Sequence, residues 1–86
     1  MPEICRFLDI VIYMYFNDHP PPHFHVKYNE FRAQIAIATL ELIEGELPPR
    51  QFRLVKEWAS QHQQELLDNW LSLQETGTFG KIKPLQ

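Results

Sequence analysis

Residues His23 to Tyr28 and Phe31 to Ala38 alternate in polarity about the dipeptide Asn29-Glu30. Successive side chains of a strand point to opposite faces. Asn29 tolerates positive φ, so a two-residue hairpin turn fits, although Glu30 is not the glycine such turns prefer. That turn pairs Tyr28 with Phe31, Lys27 with Arg32, Val26 with Ala33, His25 with Gln34 and Phe24 with Ile35. One face then carries Phe24, Val26, Tyr28, Phe31, Ala33, Ile35 and Ile37. The other carries His23, His25, Lys27, Arg32 and Gln34. A slip of one residue mixes the two sets, so the pattern supports this register.

The neighbouring segments extend the sheet. Ile10 to Phe16 is rich in β-branched and aromatic residues and reads as a strand. Glu3 to Phe7 is a short strand before it, with Leu8-Asp9 as the turn. Ile10, Ile12, Met14 and Phe16 are expected on the core face, and Val11, Tyr13 and Tyr15 beside the histidines. Asn17 to Pro22 is a loop, and Leu40 to Glu44 a further short strand closed by Gly45. Pro48-Pro49 opens a helix. Its apolar stripe is Val55, Trp58, Ala59, His62, Leu66, Trp70 and Leu73, at three- and four-residue steps. Gly77 marks the helix end.

The expected fold is α+β. A small antiparallel sheet of three to five strands is covered on one face by one long C-terminal helix. Residues 1–47 form the β-rich part, 48–76 the helix, and 77–86 a tail that docks by Ile82 and Leu85. From Pro49 to about Glu75 a straight helix spans roughly 40 Å. That exceeds a short sheet, so its last turns are expected to overhang. Trp70 then becomes a candidate contact with a partner chain, and a homo-oligomer through the overhanging helix follows.

With 86 residues, 44% of them hydrophobic, the chain suits one folded domain. A net charge of −3 argues against broad DNA binding. Cys5 is the only cysteine, so no internal disulfide forms. The run Ile10 to Phe16 is too short for a membrane helix. A cytoplasmic protein is expected.

The chemistry concentrates in Asp18-His19-Pro20-Pro21-Pro22-His23-Phe24-His25, which holds three of the four histidines and three of the seven prolines. Imidazoles move protons near neutral pH and bind metals. In a metal-independent ribonuclease, His23 and His25 would share the acid and base roles. Lys27 and Arg32 would hold the phosphate. Tyr13, Tyr15, Gln34 and His19 would contact the RNA, the tyrosines by stacking on bases.

A second reading is metal binding. His23 and His25 point the same way from one strand, and His19 or Asp18 completes a set for zinc or another divalent transition metal. A third is structural, with all three histidines serving the loop and strand alone. His62 lies on the helix stripe and is excluded from the site. Arg50, Arg53 and Lys56 cluster near the helix start and read as a solvated face.

Met1-Pro2-Glu3-Ile4, Arg6-Phe7, Asp18-His19 and Pro21-Pro22-His23-Phe24-His25-Val26 resemble the prokaryotic domain-of-unknown-function 4160 family. Glu44-Gly45-Glu46-Leu47-Pro48, Glu57-Trp58 and Asn69-Trp70 continue the likeness. Here Asp9 stands where glycine is common and Cys5 where serine is frequent. The resemblance implies a small cytoplasmic prokaryotic protein whose gene neighbours that of another small protein, as in a toxin–antitoxin module. It supplies no catalytic residues; His19, His23 and His25 are where a site would be sought. The expected function is therefore one component of such a two-gene module, binding the neighbouring gene's product and acting on RNA. The alternative is a non-catalytic binding module whose His-Pro loop holds a metal ion or a peptide.

Overall fold

The β-branched and aromatic segments form the strands that their alternation predicts. The computed structural model describes residues 2–85; Met1, which begins the family-like start, and Gln86, which ends the tail, lie outside the described residues. The strands are β1 (Glu3–Phe7), β2 (Ile10–Tyr13), β3 (His23–Tyr28), β4 (Phe31–Ala36) and β5 (Leu42–Gly45). They make one antiparallel sheet in sequence order. Two helices follow, α1 (Pro49–Ser60) and α2 (Gln63–Glu75).

The central hairpin has the expected register, from Tyr28 opposite Phe31 to Phe24 opposite Ile35. Asn29 turns the chain at φ 52°. Leu8 and Asp9 turn β1 into β2, both at positive φ, a conformation that Asp adopts more readily than Leu. Tyr13 lies opposite His25 and Ile12 opposite Val26, so β2 adds its apolar set to the core face. β2 stops at Tyr13, short of the expected Phe16. Asn17 takes φ 54° and turns the chain out of the sheet, leaving Phe16 half-exposed and outside the core.

One expectation fails in the helical layer. The single long helix is broken at Gln61-His62 into α1 and α2. The amides of Gln61 and His62 donate to the carbonyls of Trp58 and Ala59, at 3.1 and 3.0 Å, which tightens the last turn. The His62 Nδ1 and Glu65 Oε1 lie 2.6 Å apart at the start of α2. Gln63 Nε2 donates to the Ile37 carbonyl at 2.8 Å and so pins α2 to the end of the sheet. The physical reason is burial, since the break lets both halves of the apolar stripe reach the sheet. The molecule extends 34 Å along its longest axis, less than the roughly 40 Å of a straight helix. The break folds the whole stripe inward.

The overhang is consequently absent. Val55, Trp58, Ala59, Leu66, Trp70 and Leu73 are all buried with the sheet's inner face. The argument for a homo-oligomer through an overhanging helix falls with it. His62 is half-buried, 5.5 Å from the Trp58 ring, and stands apart from the other histidines.

The tail docks as expected. Ile82 is buried and Leu85 packs on the core. Asn69 Nδ2 donates to the Gly80 carbonyl and Asn69 Oδ1 accepts the Gly80 amide, both at 2.8 Å. Trp58 Nε1 donates to the Lys83 carbonyl at 2.7 Å. Gly77 ends α2 at φ 75°. Among the described residues no helix is long and apolar enough to cross a membrane.

Candidate functional site

Strand alternation puts His23 and His25 on one face of β3, and their rings sit 5.1 Å apart, centroid to centroid. The loop from Asn17 to Pro22 bends back so that Asp18 meets both. Asp18 Oδ2 lies 2.8 Å from His25 Nε2 and 3.1 Å from His23 Nε2. The proline run also supplies the other partner of His23. Its Nδ1 lies 2.7 Å from the Pro21 carbonyl oxygen. A carbonyl only accepts, so Nδ1 carries the proton and donates. In the neutral ring Nε2 then has a lone pair and no proton to give. It is buried without a hydrogen-bond partner, and the bond to Asp18 is made by His25.

Burial raises the Asp18 carboxyl. The hydrogen bond from His25, the His19 amide at 2.9 Å and the charges of the two imidazoles outweigh it, holding Asp18 below its ordinary pKa. Asp18 is therefore the ionised member of the group near neutral pH.

Aromatic rings wall the cluster. Tyr13 stacks on His25 at 5.1 Å with planes 17° apart. Tyr15 meets His25 edge-on at 4.6 Å and is itself 41% exposed. Burial, and then the neighbouring Tyr15, push the Tyr13 phenol above its ordinary range. On the other side Trp70 of α2 lies 5.1 Å from the His23 ring. The helical layer was expected to stay on the far side of the sheet from both histidines; at His23 it does not, because the broken helix brings α2 around to the end of β3.

A groove of about 280 Å³ adjoins the cluster, lined by Tyr13, His25, Arg32, Gln34, Glu44 and Gly45. Gln34 Nε2 donates to Glu44 Oε2 at 3.0 Å. Arg32 is exposed and donates through Nη1 to the carbonyls of Asn29 and Phe31. Gly45, at φ 82°, forms part of the wall; a Cβ there would drive into the Arg32 carbonyl.

The sequence-predicted residues thus fall into separate places. His25, Arg32, Gln34 and Tyr13 share the groove, with Tyr15 against His25. His23 lines no part of that groove and is only 5% exposed. Lys27 is the cross-strand partner of Arg32 but lines a different hollow, with Glu3, Arg6, Asp9, Val11 and Asn29. His19 is exposed, and its side chain is not among the ligand atoms that converge. Asp18, His23 and His25 form the converging set, so of the two third donors that the sequence offered, His19 and Asp18, it is Asp18 that meets the histidines. Sequence reasoning missed Glu44 and Trp70. The Gln34–Glu44 contact depends on the bulged register of β4 with β5, and alternation within one strand carries no signal for it.

No curated protein and no solved structure matches the chain. The family model for a domain of unknown function, DUF4160, matches residues 9–71. That span contains the loop, both β3 histidines, the groove and most of the helical layer, and the chain belongs to the DUF4160 family.

Proposed function

We propose that this protein is the RNA-directed component of a two-gene, toxin–antitoxin-like module in the cytoplasm, held by the product of a neighbouring gene. The observation that carries the RNA reading is the groove, where one imidazole, one guanidinium and the Tyr13 ring meet on the sheet face. Arg32 holds a phosphate, and Lys27 beside it extends positive charge along the strand pair. Tyr15, exposed against His25, offers a surface on which an unpaired base stacks.

In its sharper form the reading is RNA cleavage. Asp18 fixes His25 with the proton on Nε2, leaving Nδ1 as the basic nitrogen. His25 then takes the proton of a 2′-hydroxyl, the 2′-oxygen bonds to phosphorus, the bond to the 5′-oxygen breaks and that oxygen takes a proton from water, while Arg32 steadies the charge on the phosphorus-bound oxygens. Such proton transfer contributes typically about 10²–10⁴-fold. We assign it to His25 alone, with His23 supporting Asp18 from behind.

Labelled single-stranded RNA, incubated with the protein in chelator, tests this. Binding is expected, weakened by Arg32→Ala, with cleavage lost in His25→Ala. Expression is expected to slow growth unless the neighbouring gene is co-expressed. RNA that neither binds nor shortens, together with unaffected growth, would overturn the reading.

A further inference from the structure

We propose that Asp18 Oδ2, His23 Nε2 and His25 Nε2 form a binding site for one divalent transition-metal ion of the zinc class. The three ligand atoms lie within 4.8 Å of one another, close enough for one ion to bridge them with modest adjustment. Two imidazole nitrogens and a carboxylate oxygen are the donors that zinc accepts, and three protein ligands leave a fourth position for water or a partner's group.

The unpartnered nitrogen of His23 is the observation that points to an ion. In the neutral ring its lone pair would face an ionised carboxylate oxygen at 3.1 Å, two acceptors meeting inside the protein. That contact is unfavourable unless a second proton on the ring or a cation lies between them, and the three converging donor atoms suit the cation. The rest of the ring is built for the same task. Metal-bound histidines characteristically donate their other N–H to a carbonyl or carboxylate, which fixes the tautomer. His23 does so to Pro21 at 2.7 Å. Trp70 and Tyr13 pack on the two imidazoles and limit their movement.

This inference goes beyond the RNA reading and does not need it. An ion would take the His25 nitrogen that otherwise bonds Asp18, so zinc loading competes with proton transfer by His25. The chelator in the RNA assay keeps failure of either idea distinguishable.

The test is titration of the untagged, metal-stripped chain with zinc chloride against a chromophoric chelator, alongside thermal melting. One equivalent should bind and the melting temperature should rise. Asp18→Asn and His25→Ala should each weaken binding by at least about tenfold, while His19→Ala should bind as the parent does. Asp18→Asn is the decisive variant, because its partly buried loop position lies outside the hydrophobic core and circular dichroism verifies its fold. No stoichiometric zinc on the folded parent, equal affinity in Asp18→Asn, or loss in His19→Ala would overturn the proposal.

Discussion

The indole of Trp70 lies 5.1 Å from the imidazole of His23, centroid to centroid, with the planes 49° apart. This contact joins the helical layer to the histidine cluster. Trp70→Ala is expected to lower stability by about 3–5 kcal/mol, as for other buried aromatic residues. In a small domain that is a large share of the total. Urea denaturation checks the loss, and Trp70→Phe, which keeps a ring against His23, should lose clearly less.

Gly45→Ala tests the groove wall. The residue sits at positive φ, and an added Cβ would be 2.9 Å from the Ala33 Cα as well as pressing on the Arg32 carbonyl. Both effects act in one direction, and strain of this kind amounts to roughly 1–3 kcal/mol. The urea midpoint should fall, and RNA affinity should fall with it, since Arg32 and Gly45 share the groove.

Asn69→Ala tests the tail. Asn69 is buried and both its donor and its acceptor are matched by the Gly80 backbone. Its removal leaves that backbone pair unsatisfied, a loss of about 1–3 kcal/mol. Limited proteolysis should begin to cut between Gly77 and Lys83 before the sheet unfolds.

Burial pushes the Cys5 thiol up, and burial with Tyr15 pushes the Tyr13 phenol up. A raised folded pKa on an acid means that the neutral form is favoured in the fold. The associated stability is present below the unfolded pKa and declines as pH rises past it, about 8.5 for the thiol and about 10 for the phenol. Urea midpoints should therefore fall between pH 8 and pH 11, and less so in Tyr13→Phe. At neutral pH the native Cys5 should react slowly with a disulfide reagent and rapidly in urea.

Much of the sheet was legible because two faces of different polarity leave one workable register. Phe24, Val26 and Ile35 against His25, Lys27 and Gln34 fixed it, and Asn29 marked the turn. The helix break was not legible. The spacing Trp58, Ala59, His62, Leu66 continues across it, and neither Gly nor Pro interrupts it; only the size of the sheet argued for a bend. The cluster was half legible. Alternation put His23 and His25 together, but a loop has no period, so nothing in the sequence chose between Asp18 and its neighbour His19. The tautomer of His23 depends on where the Pro21 carbonyl points, which no pattern of residue types encodes.

The hinge at Gln61-His62 makes the two ends of the molecule answer differently to changes in chain length. One residue inserted there would rotate every α2 side chain by about 100° about the helix axis. Trp58 would keep its seat against Phe7 and Phe24, while Trp70 swung off the imidazole. Deletions and insertions at this joint are thus a dial on the far end of the third strand, leaving the first helix where it was.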